Sequence, residues 1–283
     1  MVKIIADSTC DLSRELLEKY DVDILPLYII LGDREYEDGS GISPDEIYRW
    51  SDEQKTTPKT SACSLEKTLE TFRPVLDEGR EIVCFSISDS MSTSGNVMRM
   101  AAEELGASDR VHVVNSENLS TGIGLMVIEA AILARQGRTA AEIVRHVEAL
   151  RPRVRASFVV DTLVYLHRGG RCSGLAALLG GTLKLHPRIL VENGRMIPGK
   201  KYRGRMSHVL MHYATEMENE LRAAKPDRVF ITHSGCDEAD VEAVRSYLQS
   251  LNHFSEILIT RAGGVISSHC GPGTLGVLFI AGE

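Results

Sequence analysis

An α/β protein of two domains is predicted by the sequence: an N-terminal domain with a mainly parallel sheet at residues 1–151, and a smaller mixed α/β domain at 152–283. Three observations predict it. Short apolar runs alternate with amphipathic helical segments through the first half, the pattern of βαβ units. The second half carries a hairpin signal at Asn193-Gly194 and four further strand-like runs. The apolar runs end, again and again, in loops dense in hydroxyls and glycine, where ligands of open α/β sheets bind.

The elements follow in order. Val2 to Ala6 predicts a strand and Ser13 to Tyr20 a short helix. Leu25 to Leu31, the turn Gly32-Asp33 and Arg34 to Glu37 predict a hairpin. Ser43-Pro44-Asp45-Glu46 is a capping box with proline at the first helical position. Leu65, Leu69, Phe72 and Leu76 recur at helical spacing. Buried strands at 82–85 and 111–114 alternate with helices at 97–105 and 121–135, the latter stopped by Gly137. A helix through Ile143, Val144, Val147 and Leu150 closes this half at Arg151-Pro152. Beyond it, 156–160 predicts a strand, and Asp161 a cap for a helix through Leu166. Strands at 188–191 and 195–198 flank Asn193-Gly194. Helices at 206–222 and 237–251 alternate with strands at 228–232, 256–260, 265–268 and 275–281.

Composition excludes several classes of function. In 283 residues of net charge −7, both signs are dispersed, which disfavours nucleic-acid binding. The six cysteines are widely spaced without a C-x-x-C, as reduced core thiols are. Met1 leads directly into a strand-like segment, and no apolar run approaches the ~20 residues that span a bilayer. A soluble, cytoplasmic protein is expected, with at most transient membrane contact.

The hydroxyl-rich loops carry the chemistry. They are Asp7-Ser8-Thr9, Ser88 to Gly95, Asn115-Ser116, Thr232 to Gly235 and Ser267 to Gly273. A hydroxyl donates a hydrogen bond without carrying charge, and glycine lets backbone N–H groups approach closely. Such loops suit a small anionic headgroup. Thr60-Ser61-Ala62-Cys63-Ser64 precedes one helix and Ser88 to Gly95 another, so each reads either as a helix cap or as half of a shared anion site. His269-Cys270-Gly271-Pro272-Gly273 reads as a tight turn directly after a strand, placing His269 to bind or polarise a headgroup. No zinc spacing, Gly-x-Ser-x-Gly, Walker A or dinucleotide fingerprint is present, so neither a metal nor a cofactor is expected. An activated thiol at Cys270 is disfavoured because neighbours on an extended chain face opposite ways. A basic stretch holds Arg168, Arg171, Lys184, Arg188, Arg195, Lys200, Lys201, Arg203 and Arg205 against Glu192 alone. It reads either as a solvated face or as a docking surface.

These motifs together resemble the DegV family of bacterial fatty-acid-binding proteins, the FakB-type subunit of fatty acid kinase. The opening Ala6 to Leu12 is similar to the family's TDSTADL start. Thr60-Ser61 stands at its TSQPS motif, with Ala62 and Cys63 in place of Gln-Pro. Ser88 to Ser94 resembles SSxLSGT, with Thr93 for glycine. Asp161 to Leu166 followed by Arg168 to Arg171 is close to DTLxYLxxGGR, and His269 to Gly273 matches HxGPG. The resemblance implies one long-chain fatty acid enclosed between the domains, without cofactor or metal. Its carboxylate would be held by Thr60 and Ser92 with His269 beside them, supported by Ser61, Ser94, Gly271 and Gly273. It also implies no catalysis by the chain itself: a separate ATP-dependent kinase subunit, engaged through Arg171 and Arg203, would phosphorylate the acid. The alternative is a stand-alone acyl or phosphate hydrolase using Ser92 or Cys270 with His269.

Overall fold

Strands buried on both faces read as unbroken apolar runs, and Ile82–Ser86 is buried at every position. It is the sixth strand of a computed structural model that describes residues 2–172 and 185–282. In chain order the first half comprises β1 (Lys3–Asp7), α1 (Arg14–Tyr20), β2 (Val22–Leu25), β3 (Tyr28–Leu31), β4 (Arg34–Glu37) and α2 (Pro44–Gln54). Then follow β5 (Lys59–Ser61), α3 (Leu65–Asp77), β6 (Ile82–Ser86), α4 (Ser94–Glu104), β7 (Val111–Asn115), α5 (Thr121–Arg135) and α6 (Ala140–Leu150). The second half runs β8 (Val154–Val159), α7 (Val164–Gly169), β9 (Leu185–Glu192), β10 (Arg195–Arg203), α8 (Met206–Glu216) and α9 (Glu218–Arg222). It ends with β11 (Ala224–His233), α10 (Glu238–Ser250), β12 (Glu256–Arg261), α11 (Gly264–Cys270) and β13 (Leu275–Ala281).

The first sheet is four-stranded in the order β2-β1-β6-β7, and every pairing is parallel. The second is six-stranded, β10-β9-β8-β13-β11-β12, mostly antiparallel with one parallel pair, β11 and β12. The shorter half of the chain thus carries the larger sheet. Helix α5 packs against strands of both sheets, including β1, β6, β8 and β13. That position explains its composition: residues 121–131 are all buried, so an apolar stripe on one face would not suffice. The largest hydrophobic cluster accordingly reaches from Val2 to Ile280.

Several expectations are corrected. Leu25 to Leu31 is two strands: β2 ends at Leu25 in the parallel sheet, and β3 starts at Tyr28 beyond Pro26. Strand β3 joins a third, three-stranded sheet, β4-β3-β5, in which Ile29 pairs with Thr60. The 206–222 helix is interrupted at Met217 into α8 and α9. Asp161 does not cap α7; the Thr162 hydroxyl accepts from the Val164 N–H, and Asp161 lies 3.4 Å from His186 Nδ1. The segment 265–268 is helical, not a strand, so His269 sits in the last turn of α11. Lys184 of the basic stretch lies outside the described residues. Arg188 leaves that surface, turning inward over the Tyr213 ring and against Met217.

Candidate functional site

Three elements that are distant in sequence bring their hydroxyls and imidazole to one cavity of about 430 Å³. Thr60 and Ser61 come from β5, Ser92 and Thr93 from the loop before α4, and His269 and Cys270 from the end of α11. Leu27, Ile87, Met91, Leu119, Val265 and Ile266 supply apolar wall, and the exposed Arg171 stands at its edge. The lining is mixed: hydroxyls, His269, Arg171 and the Asp89 carboxylate share the wall with the apolar residues.

Local chemistry decides which of the two expected anion-binding ends remains open. The α3 N-terminus is filled by its own Ser64, whose hydroxyl accepts from the Lys67 N–H at 3.1 Å. That cap leaves Ser61 free to face the cavity. The N-cap of α4, Thr93, makes no side-chain capping bond. Ser92 Oγ receives the Ser94 N–H at 3.3 Å and lies 2.9 Å from Ser94 Oγ. The positive end of the α4 dipole lies beside Ser92, with the Asp89 carboxylate close against Gly95 in its first turn.

His269 Nε2 lies 2.8 Å from Thr60 Oγ1. Its Nδ1 is buried and has no hydrogen-bond partner among the described residues. An orphaned acceptor costs less than an orphaned N–H, so the network assigns the single proton to Nε2. His269 then donates to Thr60 Oγ1, which turns the Thr60 hydroxyl hydrogen outward as a donor. Burial, with the nearby Arg171 adding to it, pushes the His269 pKa down to about 4, so the ring is neutral at pH 7. Burial likewise drives the Cys270 thiol well above its usual range, which removes it as a nucleophile. His269 and Cys270 are consecutive in a helix, so the extended-chain argument against pairing them does not apply. What separates them is that the ring's hydrogen bond goes to Thr60.

The remaining expected residues fall nearby in different roles. Gly271 and Gly273 do not line the cavity. They make the turn after α11, at φ +76° and +72°, where a Cβ on Gly271 would stand 2.6 Å from the Tyr165 ring. Ser94 is buried behind Ser92. Arg203 is exposed at the far end of β10, seven residues from the cavity-lining Met196, roughly 20 Å at ~3.3 Å per residue. No residue of α5 lines the cavity; Leu119, just before it, does.

Sequence reasoning missed the carboxylates behind the site. Asp7, Asp11 and Asp38 are buried and make no ion pair among the described residues. Burial pushes Asp7 up to about 6 and Asp11 to about 8, against hydrogen bonds that lower both, and raises Asp38 also. Between pH 4 and 8 the folded protein therefore binds more protons at these groups than the unfolded chain, so stability rises as pH falls. His269 opposes this below its ordinary pKa of 6.5. The expected result is a melting temperature that climbs from pH 8.5 to pH 6, with a smaller climb in Asp11→Asn. A melting temperature flat or falling over that interval contradicts the assignment.

With fold and site in view, comparison with known proteins gives a consistent answer. The DegV family model, described as "Uncharacterised protein, DegV family", matches residues 1–282. A DegV domain-containing protein of Deinococcus radiodurans is 33% identical over 276 residues, 98% of this chain and 97% of its own. A fatty-acid-binding DegV family protein from Thermus thermophilus is 31% identical and superposes with TM-score 0.91 over 99% of each chain. A stearic-acid-binding protein from Eubacterium ventriosum is 29% identical, with TM-score 0.85 over 99% of this chain and 98% of that one. The chain belongs to the DegV family.

Proposed function

We propose that the protein carries one long-chain fatty acid between its two domains, which meet near residues 151 and 152, and presents it to a separate ATP-dependent kinase subunit for acyl-phosphate formation. The observation that carries the reading is the Thr60–His269 bond in a cavity that also holds Ser92 and an apolar wall. Thr60 and Ser92 donate to the carboxylate, and neutral His269 keeps Thr60 in the donating orientation. Charge-assisted bonds of this kind orient an anion without a counter-charge. The chain supplies the affinity: ~15 methylenes at ~0.8 kcal/mol each are worth roughly 12 kcal/mol before the costs of association.

A smaller cavity of about 30 Å³, lined by Phe158, Gly276 and Leu278, shares Leu119, Ile266 and Cys270 with the first and marks the direction in which an acyl tail would extend. The fatty acids bound by the Thermus and Eubacterium relatives support the ligand class. Exposed Arg171 beside the cavity and Arg203 on β10 support a docking surface for the kinase. The raised Cys270 thiol and the engagement of His269 by Thr60 disfavour a hydrolase.

Mass spectrometry of an organic extract tests the carrier. One long-chain fatty acid per chain is expected, with at least a tenfold loss in Ser92→Ala. An empty extract, with no stearate taken up when offered, overturns the reading. In the same preparations Arg171→Glu with Arg203→Glu should retain the acid and abolish its phosphorylation by the kinase subunit.

A further inference from the structure

Helix α11 is seven residues long and brings Val265, Ile266, His269 and Cys270 to the cavity. A helix this short has too few internal hydrogen bonds to hold its own position. Its first turn is held from elsewhere. The Gly263 N–H donates to Asp11 Oδ1 at 2.8 Å, and the Gly264 N–H to Asp38 Oδ1 at 2.7 Å. Each carboxylate is in turn oriented by a serine: Ser120 Oγ donates to Asp11 Oδ2, and Ser8 Oγ to Asp38 Oδ2 at 2.8 Å. Ser8 Oγ also accepts the Leu27 N–H at 3.1 Å, tying the network to a cavity-lining residue.

Close approach is built into both ends of these bonds. A Cβ on Gly264 would come within 2.4 Å of Ile29 Cδ1, and one on Gly263 within 3.2 Å of both carboxylates. Ser120 has φ 53° and ψ −145°, a conformation rare outside glycine that persists only where surroundings over-determine it. Its hydroxyl is the one that grips Asp11.

We propose that Asp11 and Asp38 are positioning residues for the carboxylate site. They clamp the N–H groups of the N-cap Gly263 and of Gly264, the first residue of α11, and thereby set the register of His269 against Thr60 and of Ile266 and Cys270 along the cavity. The two aspartates lie on the loop after β1 and the loop after β4, so the clamp joins the N-terminal half of the chain to a helix of the C-terminal half. The effect on fatty acid rests on the carrier reading; the effect on His269 does not.

The test uses Asp11→Ala, Asp38→Ala and the corresponding asparagine variants of the full chain. Two readouts are taken: stearate affinity, and the ¹⁵N shifts of the His269 imidazole. Alanine should weaken stearate binding at least tenfold and move the Nε2 shift to that of a ring without a Thr60 partner. Asparagine keeps an oxygen acceptor for each glycine N–H and should restore both most of the way. Should the alanine variants fail to fold, Ser8→Ala, which removes the orienting hydroxyl of Asp38 together with the acceptor of the Leu27 N–H, should give the same shift change at smaller amplitude. Unchanged His269 shifts in these variants overturn the proposal, as does a loss that asparagine does not rescue. If the wild type takes up no stearate, the carrier reading fails, and the His269 shifts still decide the positioning role.

Discussion

Replacing Gly169 by alanine is expected to cost the protein its ligand and leave its fold intact. A Cβ at this position would stand 2.4 Å from His269 Nδ1, too close for any real contact. Gly169 closes α7 with an ordinary helical backbone, so alanine fits the chain and gains up to about 1 kcal/mol of helix propensity. The strain therefore falls on the imidazole, which must swing away from Thr60 and release that hydroxyl from its donating orientation. Stearate affinity should fall at least about tenfold, while the urea midpoint stays within the effect of ~1 kcal/mol. A double-mutant cycle with His269→Ala separates this route from others: once the imidazole is gone, alanine at 169 should have no further effect. Wild-type affinity in the Gly169→Ala protein would contradict the role given to His269.

The largest loss of stability is expected from Glu129→Ala. Glu129 lies on α5 between the sheets, 7% exposed, where it accepts from Arg228 and from Lys225 Nζ at 2.8 Å. Arg228 is 8% exposed and, among the described residues, would keep only Glu256 as an ion-pair partner, at 3.5 Å from its Nε. Removing one partner of a buried pair leaves an uncompensated charge, a loss of about 3–5 kcal/mol. Burial also shields the pair from salt, so the loss should persist at 1 M NaCl. Urea denaturation measures it. Replacing Glu129 and Arg228 together by methionine should recover most of the loss, because the penalty belongs to the orphaned charge. A loss under about 1 kcal/mol would show Arg228 well solvated without its partner.

Much of the architecture was legible because it rests on local pattern. The capping box at Ser43 is realised with both of its reciprocal bonds. Asn193-Gly194 turns β9 into β10, with Asn193 at φ 48° and Gly194 at φ 75°. The apolar α5 is buried all round, as its composition requires. The site was legible in its chemistry, since Thr60, Ser92 and His269 do line one cavity. It was less legible in its roles: of the cap and anion-site readings Ser64 takes the cap, Ser94 lies behind Ser92, and Arg188 is an inward-facing side chain.

The segment 265–270 shows where local pattern runs out. A short apolar run fits period 2 and period 3.6 equally well, so Val265-Ile266 alone does not distinguish strand from helix. In the fold the start of the helix is held by Asp11 and Asp38, whose bonds to Gly263 and Gly264 span 252 and 226 residues. The Thr60–His269 bond spans 209. By itself the sequence determined most of the order of strands and helices and the parallel sheet, because these depend on propensities and periodicities within a few turns of chain. Only the tertiary structure decided that α11 is a helix, that His269 serves Thr60, and that Ser92 shares a cavity with both. Each of those depends on contacts with segments far away in sequence.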